Sequence, residues 1–290
     1  MTVCIVFGAS GAIGRFLVPR LLAAGHDVIA VSRESRTSHS PNLRWIVGDL
    51  PGRVPALPRA DRIFSLGPLD AFARWFADNG EARARVVAIG SLSAETKQQS
   101  ADSRERELAA RLVRAEALLA ATADARGSAS TVLRASLIYG AGLDKSLTPF
   151  VRFAQRWRVF PLMHGARGLR QPVHADDLAS ACIAAAARPV LARRVYEAGG
   201  GERIRFDTML ARVRASLPFA TLPLPIPCAL ARACAGITRS TRTLAAASPA
   251  ALLRVNEDLV ADNSAGAADF GWSPRDFRPR ADDWTPPPLP

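Results

Sequence analysis

Lysine and tyrosine are almost missing from this chain. Its 290 residues hold two of each, Lys97 and Lys145, Tyr139 and Tyr196, so nearly all of the formal charge of +12 comes from arginine. Those arginines are spread along the whole sequence, and no block of five like charges occurs. That argues against a nucleic-acid footprint, which needs its cations gathered on one face. Cysteine is also scarce: Cys4, Cys182, Cys228 and Cys234 form no CxxC pair, and the four histidines are scattered, which excludes a conventional zinc site. Long apolar runs are lacking too. The most apolar window, residues 217–237, carries four prolines and Arg232 and makes a poor membrane span. No basic leader precedes the first strand, and buried reduced thiols suit a cytoplasmic protein with no membrane partner.

What is present is an ordinary globular composition, 49% apolar and 22% charged. Short β-branched or apolar runs at 3–7, 27–32, 43–48, 62–66, 85–89, 131–138 and 194–198 alternate with helical or irregular stretches. This predicts an α/β protein with a Rossmann-type doubly wound parallel sheet. Helical periodicity is clear at 12–24 and at 103–122, where Asp102 or Ser103 can cap, whereas three prolines make 49–61 an irregular connection. Past residue 200 the pattern changes to helical pieces near 207–216, 228–238 and 248–260. The expected organisation is an NAD(P)-binding domain over 1–199, with 141–170 contributing to a small, mostly helical C-terminal substrate lobe at 200–290. The proline-rich ending WTPPPLP reads as frayed.

The stretch VFGASGAIGRF, residues 6–16, places Gly8, Gly11 and Gly14 after a strand and at the opening of an amphipathic helix. Glycines at that spacing allow a tight turn, close approach of a pyrophosphate, and close packing of helix on strand. Ser10 and Ile13 belong beside the phosphates, where the helix N-terminus offers free amides. The second strand runs into Arg33, with Glu34 and Arg36 following. Arginine there suits a 2′-phosphate, so NADP is the expected cofactor, with NAD second. Asp49, after the third strand, either accepts from the adenine amine or ends the strand in a turn.

These motifs, with VGDL, VVAIGSLS, RAEALL, LRASLIYGAG and RQPVHADDLASA, resemble the extended short-chain dehydrogenase/reductase superfamily, in its sugar-nucleotide epimerase and dehydratase branch. The resemblance implies a Tyr-x-x-x-Lys proton relay on one helix face. Enumeration excludes it here. Leu143 and Gly200 stand four residues after the tyrosines, and Ser93 and Ala141 four before the lysines. If Glu116 matches the family glutamate, Leu108 and Leu112 occupy the relay positions, and an isobutyl group moves no proton.

Ser91 and Ser93 stand where the family serine lies and either bond the nicotinamide or substrate carbonyl or cap the strand end. Lys97 and Tyr139 are candidate proton donors, with Glu107 and Arg111 as weaker stand-ins. Arg170 matches the family's substrate-phosphate arginine and Asp176 or Asp177 its helix cap, while His174 is either catalytic or a bonded structural residue. Two functions follow as expectations. One is an NAD(P)-dependent oxidoreductase or epimerase acting on a carbonyl or sugar-nucleotide-like small molecule with a non-standard proton donor. The other is a non-catalytic NADP(H)-binding sensor or assembly subunit. By the same analogy, the helices at 69–79 and 103–122 would form a homodimer.

Overall fold

The computed structural model describes residues 2–80, 83–227 and 254–290. Its first half runs β1 (Val3–Phe7), α1 (Gly14–Ala23), β2 (Asp27–Ser32), β3 (Leu43–Val47), β4 (Arg62–Ser65), α2 (Leu69–Asn79), β5 (Arg85–Ser91), α3 (Ser93–Thr96), α4 (Ser103–Ala125) and β6 (Ala129–Ala135). Next come β7 (Ile138–Tyr139), α5 (Thr148–Trp157), β8 (Val159–His164), β9 (Leu169–Arg170), β10 (Val173–His174) and α6 (Ala175–Ala187). The rest is β11 (Val195–Ala198), β12 (Ile204–Arg205), α7 (Phe206–Ala215), β13 (Leu222–Pro227), α8 (Ser264–Phe270) and a 3₁₀ turn at Ala281–Trp284.

Seven strands form one parallel sheet in the order β11-β6-β5-β4-β1-β2-β3. They are the seven runs that the β-branched pattern marks out. Such strands are apolar throughout because helices cover both sheet faces. Val6, Ala30, Phe64 and Val87 pack with α1 and α6, while Ile5, Ile29, Ile63 and Val86 pack with α2 and α4. Successive residues thus enter opposite cores, as the two-residue repeat of a strand requires. The strand order reverses between β1 and β4, and at such a point the connections leave in opposite directions and open a crevice at the carboxyl ends.

A third core gathers Tyr139, Phe150, Phe160, Met209, Phe277 and Trp284 from stretches far apart in sequence. The C-terminal lobe also carries paired strands, β8 with β13 in parallel and β9 with β12. One expectation is corrected. The segment WTPPPLP is not frayed at its start, because Trp284 is buried and its indole N–H donates to Ser216 Oγ at 2.8 Å. The helix expected at 207–216 is α7; the one at 228–238 lies outside the described residues, and 254–257 form turns rather than the end of a helix.

The caps explain two further boundaries. Asp102 caps α4 by accepting from the Arg104 amide at 2.9 Å. At α6, however, the cap is His174 Nδ1, which accepts from the Asp176 amide at 3.1 Å, so Asp176 and Asp177 are first-turn acids rather than caps. Among the described residues no helix is long and apolar enough to cross a membrane.

Candidate functional site

The glycine turn is built as its spacing demands. Gly8 has φ +75°, and a Cβ there would press within 3.2 Å of the Leu66 backbone at the end of β4. A Cβ on Gly14 would collide with the Ala9 backbone, so only glycine lets α1 lie this close to β1. The Gly11 amide closes the turn on the Gly8 carbonyl at 2.9 Å, and Ile13 is buried where α1 begins. The amides of Arg15, Phe16 and Leu17 are bonded to the Gly11 and Ile13 carbonyls, which leaves those of Ala12, Ile13 and Gly14 for an anion at the head of the helix dipole.

The turn has an unsatisfied neighbour. Ser65, the last residue of β4, is fully buried and its hydroxyl finds no partner among the described residues, a costly arrangement for a polar atom. A glycine cradle beside an orphaned hydroxyl at the switch point fits a bound dinucleotide.

At the end of β2 the polar groups converge. Ser32 Oγ lies 3.4 Å from Ser10 Oγ and accepts from Arg36 Nε at 3.3 Å. Arg36 also stacks over the Trp45 ring at 5.8 Å and pairs with Glu34 at 2.9 Å. Arg15 Nε donates to the Ser10 carbonyl at 3.2 Å. Burial and the nearby Arg36 charge hold the Arg15 guanidinium below its ordinary pKa, so two cations face one small volume. Arg33 lies exposed beside them. Arg15 escaped the sequence reading, although a signal existed: a cation in the first turn of a helix opposes the dipole and calls for another reason to be there. Asp49 is exposed, and its backbone closes a two-way bridge with Arg53 at 3.0 and 2.9 Å that ends β3 in a turn.

On the opposite wall, the residues that would move a proton are engaged elsewhere. Ser91 Oγ accepts from the Ser93 amide at 3.2 Å, which organises the start of α3. Lys97 Nζ sits 2.7 Å from buried Glu105, which also accepts from Ser100 Oγ at 2.8 Å and lies 3.6 Å from Arg254. Arg254 donates to the Thr96 carbonyl at 2.8 Å, so Lys97 belongs to a latch between the α3 loop and the C-terminal lobe. Glu107 and Arg111 are exposed on α4, with Arg111 3.4 Å from Asp70.

Tyr139 packs edge-on against His174 and Phe277, with ring centroids 5.0 and 4.9 Å away. Burial, followed by the Asp283 carboxylate, raises its phenol above the usual range, so it keeps its proton. His174 uses both ring nitrogens: Nδ1 accepts from Asp176 and Nε2 contacts Asp283 Oδ1 at 3.1 Å. Arg170 is buried, and its guanidinium donates to the carbonyls of Leu169, Glu257 and Arg254 at 2.8, 2.6 and 2.8 Å. Burial and then Arg254 bring its pKa down to about 10. It holds residues 254–257 in place instead of reaching into the crevice.

Residues 4–72 and 84–199 match the NAD dependent epimerase/dehydratase family. The chain belongs to that family. Among curated proteins, this family member is similar to the mitochondrial NADH dehydrogenase [ubiquinone] 1 alpha subcomplex subunit 9 of Arabidopsis thaliana, 27% identical over 79% of the chain. It is also similar to the subunit of the same name in Dictyostelium discoideum, 26% identical over 72% of the chain. The matched region spans 62% of the length of each relative.

The fold is that of MoeE5 in complex with UDP-glucuronic acid and NAD, with TM-score 0.68 and 18% identity over 95% of this chain and 94% of that one. UDP-glucose 4-epimerase from Thermotoga maritima has TM-score 0.67 and 15% identity over 94% and 93%. The likeness of fold thus extends over nearly the whole chain, beyond the residues that the family model matches.

Proposed function

We propose that this family member binds NADP(H) at the β1–α1 turn and does so without the family's tyrosine–lysine relay. One observation carries the reading: Arg15 and Arg36 converge with Ser10 and Ser32 where β1 and β2 end, beside the glycine cradle. Two guanidinium groups and two hydroxyls favour a 2′-phosphate over a bare ribose, which an acid would hold. The pyrophosphate would rest on the amides of Ala12, Ile13 and Gly14, with Asp49 at the adenine and Ser91 toward the nicotinamide. When bound, the coenzyme supplies hydride chemistry. The protein supplies placement.

Non-catalytic binding is the reading the wall opposite supports, since Lys97 is tied to Glu105 and, if Glu116 matches the family glutamate, Leu108 and Leu112 take the relay positions. The names of the curated relatives, which are subunits of a larger dehydrogenase, agree with an assembly or sensing role. Bound coenzyme would then act by stabilising the fold that a partner recognises. Burial pushes the Cys4 and Cys182 thiols up to about 11 and about 12, so neither is poised as a thiolate nucleophile.

A second reading rests on Tyr139, whose hydroxyl carries no hydrogen bond among the described residues and borders a cavity of about 640 Å³. It makes the protein an oxidoreductase or epimerase for a carbonyl or sugar-nucleotide-like molecule, with Tyr139 or Ser93 as donor. Fluorescence titration with NADPH, followed by absorbance at the nicotinamide band against aldehydes, ketones and sugar nucleotides, separates the two. Binding without turnover supports the first reading. Turnover that Tyr139→Phe or Ser93→Ala abolishes supports the second.

A further inference from the structure

The segment after Trp284 runs back across the dinucleotide region. Thr285, Pro286 and Pro288 are exposed, whereas Pro287, Leu289 and Pro290 are half-buried, so one side of an extended stretch is laid against the protein. Consecutive prolines hold such a stretch extended at little entropic cost. Its start is anchored: Trp284 is bonded to Ser216, and the Asp283 carbonyl accepts from the Gly142 amide at 2.9 Å.

The docked side meets the two cations of the coenzyme region. Arg15 donates to the Pro287 carbonyl. Leu289 and Pro290 wall a cavity of about 410 Å³ together with Arg36, His39 and Trp45. Trp45 Nε1, on that same wall residue, is buried without a partner among the described residues. The segment therefore engages Nη1 of Arg15 with a neutral carbonyl and narrows the approach to Arg36.

We infer that residues 285–290 form a strap that competes with the 2′-phosphate of NADP(H) for Arg15 and Arg36, and so sets the coenzyme affinity of this site. The inference rests on the NADP(H) reading. A phosphate offers charge-assisted bonds to both guanidiniums and displaces the carbonyl, whereas NADH, which lacks the 2′-phosphate, gains nothing from an open strap. A strap docked about nine-tenths of the time lowers apparent affinity about tenfold.

The test compares the full chain with a loosened one carrying Pro286→Gly, Pro287→Gly and Leu289→Gly together, and with the milder Leu289→Ala, using NADPH and NADH as probes in fluorescence titrations. The expected result is NADPH binding tightened about tenfold in the triple variant and less in Leu289→Ala, with NADH changed less than about twofold. NADPH binding that is unchanged in both variants overturns the strap and leaves the coenzyme reading standing. Weakened NADPH binding overturns it too, making the segment a wall of the site. Uptake of neither coenzyme by any variant overturns the NADP(H) reading and the strap with it.

Discussion

Arg134 on β6 grips Glu116 on α4 with two nitrogens, Nε to Oε1 at 2.9 Å and Nη2 to Oε2 at 2.7 Å, in a largely buried pair. The pair fixes the rotation of α4. Residues four and eight positions earlier on the same helix face are Leu112 and Leu108, and Leu112 packs against the apolar core on the α2 side of the sheet. Removing one partner leaves a buried charge alone. Arg134→Ala is expected to lower stability by about 3 kcal/mol or more in urea unfolding, and the double variant with Glu116→Leu to recover much of that. Equal losses in both would show that the pair does not hold the helix.

Arg15 and Arg36 are expected to distinguish coenzymes rather than merely attract them. Arg36→Ala should weaken NADPH binding about tenfold to a hundredfold, which is about 1.4–2.8 kcal/mol, and leave NADH within about twofold. Arg33→Ala, at an exposed side chain, should cost far less. Titration of each variant with both coenzymes checks this.

Gly14→Ala places a methyl group against the Ala9 backbone, which neither β1 nor α1 can move without disturbing the sheet. Coenzyme binding should fall below detection, and the melting temperature should drop by several degrees, roughly the effect of 1–3 kcal/mol of overpacking. Gly25→Ala, where a Cβ meets nothing but φ is +75°, should cost stability alone and leave binding intact.

Acid should loosen the latch at Lys97. Burial alone would raise the Glu105 carboxyl, but hydrogen bonds from Lys97 and Ser100 and the charges of Lys97 and Arg254 outweigh it and leave the pKa below the ordinary value. A carboxyl depressed in the folded state stabilises above its unfolded pKa, about 4.3, and loses that contribution as pH falls through the lower folded value. Glu105→Gln should therefore be less stable than the parent at neutral pH, with the difference shrinking below about pH 4 in denaturant titrations.

The sheet was legible because each central strand is a short β-branched run, and fully covered strands need only be apolar. The glycine turn was legible because steric demand at Gly8 and Gly14 leaves few alternatives. The lobe was less so, since its order comes from pairings between distant residues. Ser216 meets Trp284, and Arg170 meets the carbonyls of Arg254 and Glu257, and no local periodicity encodes those contacts. The segment 284–290 has the composition of a loose end, yet a single buried indole anchors its start. Lys97 looked like a spare proton donor because its partner, Glu105, is eight residues away, across a loop and on α4.

Isothermal titration calorimetry of the full chain against NADPH and then NADH probes the dinucleotide site most directly. Heat from NADPH fitting one site per chain, with NADH at least about tenfold weaker, is the predicted result. No heat from either coenzyme, or tighter binding of NADH, would contradict it.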